Sequence, residues 1–361
     1  MASETSAIRR TSSIHRWSAW IAPWIIVVGL LFVVEGAVRL LMPRADAVKY
    51  FTHGGRSTFD GDGAHTFVGD PDLGWRLQRG LRMSRWNNIP VTTTSDGFRA
   101  DHEFPRPKRG PRVLCLGDSA TFGHGIVSPA QVYPGVLERL LRERLANPAL
   151  DVVPMGVPAY TSFQGRLWLE REIDRLDPDL ITICFGFNDT TPGASDRTAL
   201  STFWPRRAAR HLVYSSQALT HLLLGAQPLL APAGTPDLDH PRVMADEYLE
   251  NVRAMVEMAR ARGARALVIG QIYRNVQLSR SPQQNRRIAE YRRGLAQACD
   301  AWGVPFLEVS LLTEAREADN GGFFVDGEHP SPLGHQLLAE RVVGLIVERG
   351  LLPMPPTATG P

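Results

Sequence analysis

The sequence predicts an α/β domain in three layers, a five-stranded parallel sheet between helices, and two observations carry that prediction. From residue 111 onward, short apolar runs alternate with helical stretches. Each run also has the length and composition of a strand buried on both faces, as parallel sheets require. Ahead of the alternation lie an uncharged N-terminal run and a segment rich in turn signals. A chain of 361 residues has room for one such domain plus these additions.

Residues 1–16 form a short basic tail containing Arg9, Arg10 and Arg16. Residues 17–42 read as a transmembrane anchor helix. Trp17–Val34 carries no charged residue over 18 positions, near the lower limit for a membrane-spanning helix. Trp17, Trp20 and Trp24 suit an interfacial aromatic belt. A cleavable signal peptide would have a shorter apolar core ending near a small-x-small site. Here Glu35, Arg39 and Arg44 intervene before Ala45-Asp46-Ala47, which favours an uncleaved anchor. The short basic tail places the N-terminus inside and the bulk of the chain outside, periplasmic or extracellular.

Residues 43–110 read as a small lead-in module. Gly54-Gly55, Asp60-Gly61-Asp62-Gly63 and Asp96-Gly97 are turn signals, and DPDLGWRLQRG and IPVTTTSDGFRA suggest short strands. The main domain then spans 111–350. Strands are expected at 112–118, 150–156, 179–186, 264–271 and 304–309. Helices are expected at about 130–146, 161–176, 243–262, 283–302 and 332–348, the last opened by Ser331 as N-cap and Pro332 at its first position. An insertion at 190–242 contains LVYSSQALTHLLLGAQPLL, one amphipathic helix or a helix pair. It is open between a lid, a membrane-surface contact and a plain cover for apolar surface. Residues 351–361 are expected to be a flexible tail.

Composition excludes several classes. With 43% hydrophobic and 21% charged residues, the chain is not generally disordered. A net charge of +3 with no basic stripe of interleaved aromatics argues against nucleic-acid binding. Cys115, Cys184 and Cys299 sit in apolar or helical stretches and read as buried free thiols. His329 and His335 lack further ligands at metal-site spacings, so neither a metal nor another cofactor is expected. His335 reads as structural or surface, and His124 as a candidate pocket wall.

In a doubly wound sheet, ligands bind beyond the carboxyl ends of the strands. Four segments sit there. Gly117-Asp118-Ser119 follows the first strand and would present a serine hydroxyl, with Asp118 holding the turn. Gly156 ends the second strand and could offer a backbone N–H. Gly186-Phe187-Asn188-Asp189 follows the third, where the Asn188 amide could stabilise an oxyanion. Asp326-Gly-Glu-His329-Pro330 precedes the last helix. Serine needs a base to take its proton, histidine suits that task, and a carboxylate orients the imidazole. Tyr160 and Phe187 lie close enough in sequence to shape an acyl pocket, or simply to pack.

These four segments, in this order, resemble the successive blocks of the SGNH/GDSL hydrolase family, as does HPSPLGHQLLAE for the final block. The resemblance covers about 112–348 and implies a flavodoxin-like fold and serine esterase chemistry on a carbohydrate O-acetyl or lipid acyl ester. It implies a triad of Ser119, His329 and Asp326, with an oxyanion hole from the Ser119 and Gly156 N–H groups and Asn188. The lead-in resembles segments preceding this domain in membrane-anchored bacterial members. The first block reads GDSA rather than GDSL, and no Gly-x-Ser-x-Gly elbow surrounds Ser119, which argues against an α/β-hydrolase. An O-acyltransferase of cell-surface glycan and a non-catalytic envelope binding protein are the alternatives. Oligomeric state is not legible.

Overall fold

The computed structural model describes residues 4–43, 66–230, 240–272, 282–309, 322–326 and 328–352. The turn signals at 54–55 and 60–63 and the tail beyond 352 lie outside the described residues.

The chain opens with one long helix, α1 (Glu4–Leu41), of which Trp20–Leu41 is long and apolar enough to cross a membrane. Two antiparallel hairpins follow, β1 (Phe67–Asp70) with β2 (Gly74–Leu77), and β3 (Ser84–Trp86) with β4 (Ile89–Val91). The alternation then begins with β5 (Arg112–Gly117), α2 (Ser119–Phe122), α3 (Tyr133–Arg144), β6 (Asp151–Gly156), α4 (Ser162–Leu176) and β7 (Leu180–Cys184). The insertion supplies α5 (Asp196–Ala199) and a helix pair, α6 (Trp204–Ser215) and α7 (Gln217–Leu230). Next come α8 (Ala245–Arg260), β8 (Arg265–Ile269), α9 (Pro282–Trp302), β9 (Phe306–Leu307) and α10 (Pro332–Glu348).

The five strands β5 to β9 form one parallel sheet in the order β6-β5-β7-β8-β9. Successive strand residues face opposite sides, so each strand feeds two cores. On β5, Leu114 and Leu116 pack with Ile173 of α4, Val252 and Met255 of α8 and Leu295 of α9. Val113 and Cys115 pack on the other face with Leu137 and Leu141 of α3 and Leu338 and Val342 of α10. All six β5 residues are buried, which is why its sequence reads as a continuous run rather than an alternation. The hairpins join the first of these cores through Phe67, Trp75, Trp86 and Val91.

Two expectations need adjustment. The last strand is two residues rather than six, because β9 pairs only with β8 at the sheet edge. Leu351 and Leu352 are buried in the second core, so the tail begins after them. Of the two readings left open for His335 the structural one holds: it is fully buried at the start of α10 and accepts the Tyr133 N–H through Nδ1 at 3.2 Å. The three cysteines are buried free thiols, as expected.

Burial, with the nearby charges of Arg99 and His329, pushes the His335 imidazole down to about 3 from 6.5. The unfolded chain takes up a proton near 6.5 that the folded chain refuses until about 3. Stability is therefore lost as pH falls through that window. Replacing His335 by Gln is expected to flatten the acid slope of stability, by about 2 kcal/mol at pH 5 relative to pH 7. Denaturant unfolding of both proteins across this range checks it.

Candidate active site

Strand order makes the site. β5 lies between β6 and β7, so the chain leaving β5 opens a crevice at the switch point of the sheet. At the end of β5 the chain turns abruptly into α2. Asp118 caps that helix, its Oδ1 accepting the Ala120 N–H at 2.9 Å. Ser119 is thereby the first residue of α2, and Gly123 closes the turn in the left-handed region at φ 83°.

The loop before α10 comes to meet it. His329 Nε2 lies 2.9 Å from Ser119 Oγ, and His329 Nδ1 lies 2.7 Å from Asp326 Oδ2. The other oxygen of Asp326 accepts the backbone N–H groups of Glu328 and His329 at 3.0 and 2.8 Å. One carboxylate thus shapes the loop and orients the ring. Partial burial works to raise the Asp326 pKa, but the hydrogen bond and charge of His329 and the two N–H groups outweigh it. The carboxyl is held well below the usual carboxylate range.

Asn188 follows β7 and stands beside the same turn. Its amide donates to Asp118 Oδ2 at 3.2 Å and to the Tyr160 carbonyl at 3.1 Å. Asp118 therefore holds the turn and also orients Asn188. Its burial raises its pKa to about 6, against the lowering effects of the Ala120 N–H and the His329 charge. The neighbouring Asp189 is buried too. Burial raises it to about 7 even though it accepts the backbone N–H and hydroxyl of Ser162 at the start of α4.

Gly156 does not join this group as expected. Asp151 and Val157 donate their N–H groups toward β5, to Pro111 and Gly117. In an unbroken strand the alternate residue then points its N–H away, and the register from Asp151 to Gly156 has no bulge. The Gly156 N–H faces outward from the edge strand rather than toward Ser119. What demands glycine here is packing, because an added Cβ would lie 2.6 Å from the Thr121 carbonyl carbon of α2.

The chain reaches Asn188 three residues later. Ala159 adopts φ 64°, a left-handed conformation unusual for alanine, and its N–H has no partner among the described residues. Its carbonyl accepts from Arg242 at 2.8 Å. Arg242 is buried and also pairs with Asp196 at 2.9 Å, so the two ends of the insertion fasten the β6–α4 loop. Tyr160 packs against Trp75 and Trp168 rather than lining the site.

His124 does line it. Its ring stands 4.3 Å from that of His329, and Trp86 packs edge-on behind it at 5.1 Å. Burial, then the His329 charge, lowers its pKa to about 4, which keeps it neutral. With Asp326 and His329 it presents ligand atoms within 4.8 Å of one another, which no spacing around His329 signalled. Both His329 nitrogens are already engaged by Ser119 and Asp326, so a cation there would have to displace one of them. A separate cavity of about 390 Å³ lies behind the nucleophile turn, lined by Arg99, Phe104, Phe122, Val132, Glu138 and Val152, and Ser119 does not border it.

The model of the GDSL-like lipase/acylhydrolase family matches residues 115–337. The chain belongs to that family. It is a GDSL-type serine hydrolase. Among solved structures it is similar to the lipase/acylhydrolase from Enterococcus faecalis, at 18% identity over 66% of this chain and 96% of that one, TM-score 0.46. It is also similar to a catalytic mutant of an acetylxylan esterase from Geobacillus stearothermophilus, at 18% identity over 66% and 96%, TM-score 0.43. No curated protein matches it.

In this GDSL hydrolase the lead-in segment braces the site loops. Arg99, in the SDGFRA stretch, is 3% exposed and donates to the carbonyls of Phe122, Gly123, Ile126 and Val127. Its guanidinium also lies over the Phe122 ring at 4.7 Å. Trp75 reaches the other loop, donating to the Pro158 carbonyl at 3.2 Å. Sequence reading missed Arg99, Arg242 and Asp196 because each looks like an ordinary surface charge. Arg99→Lys keeps the charge but loses the fork that spans these carbonyls. It is expected to cost about 3 kcal/mol in urea unfolding. Gly156→Ala should displace α2 and lower kcat more than tenfold, about 1.4 kcal/mol or more of barrier, while leaving Ser119 in the chain.

Proposed function

We propose that the chain is a membrane-anchored serine esterase with Ser119 as nucleophile, His329 as general base and Asp326 as the group that orients it. The observation carrying this reading is the continuous line of contacts from Ser119 Oγ through the His329 ring to Asp326, at 2.9 and 2.7 Å. Ser119 attacks the ester carbonyl carbon while His329 Nε2 takes its proton. The tetrahedral intermediate collapses to an acyl-enzyme as His329 returns that proton to the leaving alcohol. Water, deprotonated by the same ring, then releases the acid. His329 carries positive charge in each transition state, and the ionised Asp326 carboxylate stabilises it there.

The oxyanion falls to the Ser119 N–H, the Asn188 amide and, in place of Gly156, the N–H of Ala159. Support for Ala159 comes from its left-handed backbone, its N–H without a partner among the described residues and the contact of Asn188 with the adjacent Tyr160 carbonyl. Asn188 would turn one of the hydrogens now given to Asp118 and Tyr160 toward the substrate oxygen. With α1 as an uncleaved anchor, the enzyme acts at the outer membrane-facing side on a carbohydrate O-acetyl or lipid acyl ester.

Turnover of p-nitrophenyl esters of increasing chain length tests the reading. Ser119→Ala and His329→Ala are expected to abolish turnover and fluorophosphonate labelling of Ser119. Asn188→Ala is expected to lower kcat by about a hundredfold or more, and Asp326→Asn to be milder than the Ser119 and His329 changes. A crystal structure of the phosphonyl adduct should place its oxygen against the Ala159 N–H. Undiminished activity in Ser119→Ala would overturn the proposal, and an adduct oxygen bonded to Gly156 instead would restore the first oxyanion assignment.

A further inference from the structure

The charge-free run of α1 ends at Glu35, and this carboxylate does not face water alone. It accepts the N–H groups of Gln217 and Ala218 at 2.8 and 3.0 Å and the Ser216 hydroxyl at 2.7 Å. It thereby caps the start of α7 from another helix, where a negative charge is favoured. Arg39, one turn on, bonds Glu35 at 2.7 Å and the Ser215 carbonyl at 2.8 Å. His221 of α7 then meets the Pro43 carbonyl at 2.9 Å. As α7 advances from 217 to 221 its partners advance from Glu35 of α1 to Pro43, just past the end of α1, so the two helices run in the same sense. The corner between α6 and α7 is the end of the hairpin nearest the apolar run of α1.

The far flank of α6 is occupied. Arg207 bonds Asp72 at 2.8 Å, Arg210 the Pro71 carbonyl at 2.8 Å, and Tyr214 the Gly74 carbonyl at 2.9 Å. Leu212 projects away from these contacts and is 61% exposed, and Leu222 on α7 is 66% exposed. Leu40 and Leu41 of α1 are 86% and 82% exposed. At a rise of 1.5 Å per residue, each of the four leucines stands about 5–9 Å along its own helix from the Glu35 clasp. A group of exposed leucines close to the clasp and continuous with a candidate membrane span suits the headgroup boundary of a bilayer. The clasp also explains how a carboxylate is tolerated before four more apolar positions, since it is paired with Arg39 and fully hydrogen-bonded.

We propose that the corner of the α6–α7 hairpin is a second membrane contact, seated in the phospholipid interface and locked to α1 by Glu35. The inference rests on reading α1 as an uncleaved anchor. Two attachment points stop the catalytic body from swivelling about a single helix and hold the Ser119 crevice at a set height and orientation above the lipid.

The test uses the full chain in phosphatidylethanolamine–phosphatidylglycerol nanodiscs. Because the native thiols are buried, single cysteines can be spin-labelled selectively. Leu212→Cys and Leu222→Cys report on the hairpin, Leu30→Cys on the span, and Val127→Cys, 59% exposed in its parent residue, on the water side. Collision with oxygen relative to a water-soluble nickel chelate is expected to be about threefold or more higher at 30, 212 and 222 than at 127. Adding Glu35→Ala should move 212 and 222 toward the value at 127 and leave 30 unchanged. Lipid exposure at 30 with water exposure at 212 and 222 overturns the hairpin contact and leaves the anchor standing. Water exposure at 30 as well overturns the anchor and the inference together. Labels at 212 and 222 that ignore Glu35→Ala overturn the clasp.

Discussion

The serine at the end of β5 sits on a turn too short to give every carbonyl that follows it a backbone partner. α2 has four residues, and Gly123 reverses the chain straight after it. The loop that follows leaves the carbonyls of Phe122 and Ile126 without a backbone partner among the described residues, beside those of Gly123 and Val127. An unpaired buried carbonyl costs more than a formed hydrogen bond returns. Arg99 resolves this with one planar cation whose fork spans all four. Burial pulls its pKa down to about 10, yet it stays charged at neutral pH. The turn that presents Ser119 to His329 is braced by that side chain.

The three acidic residues around the site show how placement divides one chemical group into separate duties. Asp326 is partly exposed and richly partnered, so it remains ionised beside His329. Asp118 and Asp189 are buried, and burial raises both despite their hydrogen bonds. They tie loops to helix starts, Asp118 to α2 and Asp189 to α4. Local environment, more than residue type, separates a group that serves the histidine from two that serve the backbone.

Much of the fold was legible because two-sided burial writes itself into sequence. β5, β6 and β7 appear as apolar runs, and Ser331 with Pro332 announces α10 to the residue. The meeting of Ser119, His329 and Asp326 was legible in part, since Ser119 follows an apolar run at once and Asp326 and His329 share the short loop before α10. Gly156 misled, since a sequence does not say which way a strand turns its N–H groups. Ala159 was invisible, because alanine carries no sign of a left-handed backbone. Arg99 and Arg242 were missed for a third reason. A charge that bonds carbonyls far along the chain looks, in sequence, like one that faces water.

The lead-in segment supplies no polar group of the site among the described residues, yet its Trp75, Trp86 and Arg99 hold the turn after β5 and the β6–α4 loop. The hydrolase fold here is consequently not a portable cassette. A recombination event that moved residues 112–348 alone would carry the reactive side chains to a new host on loops stripped of their scaffold.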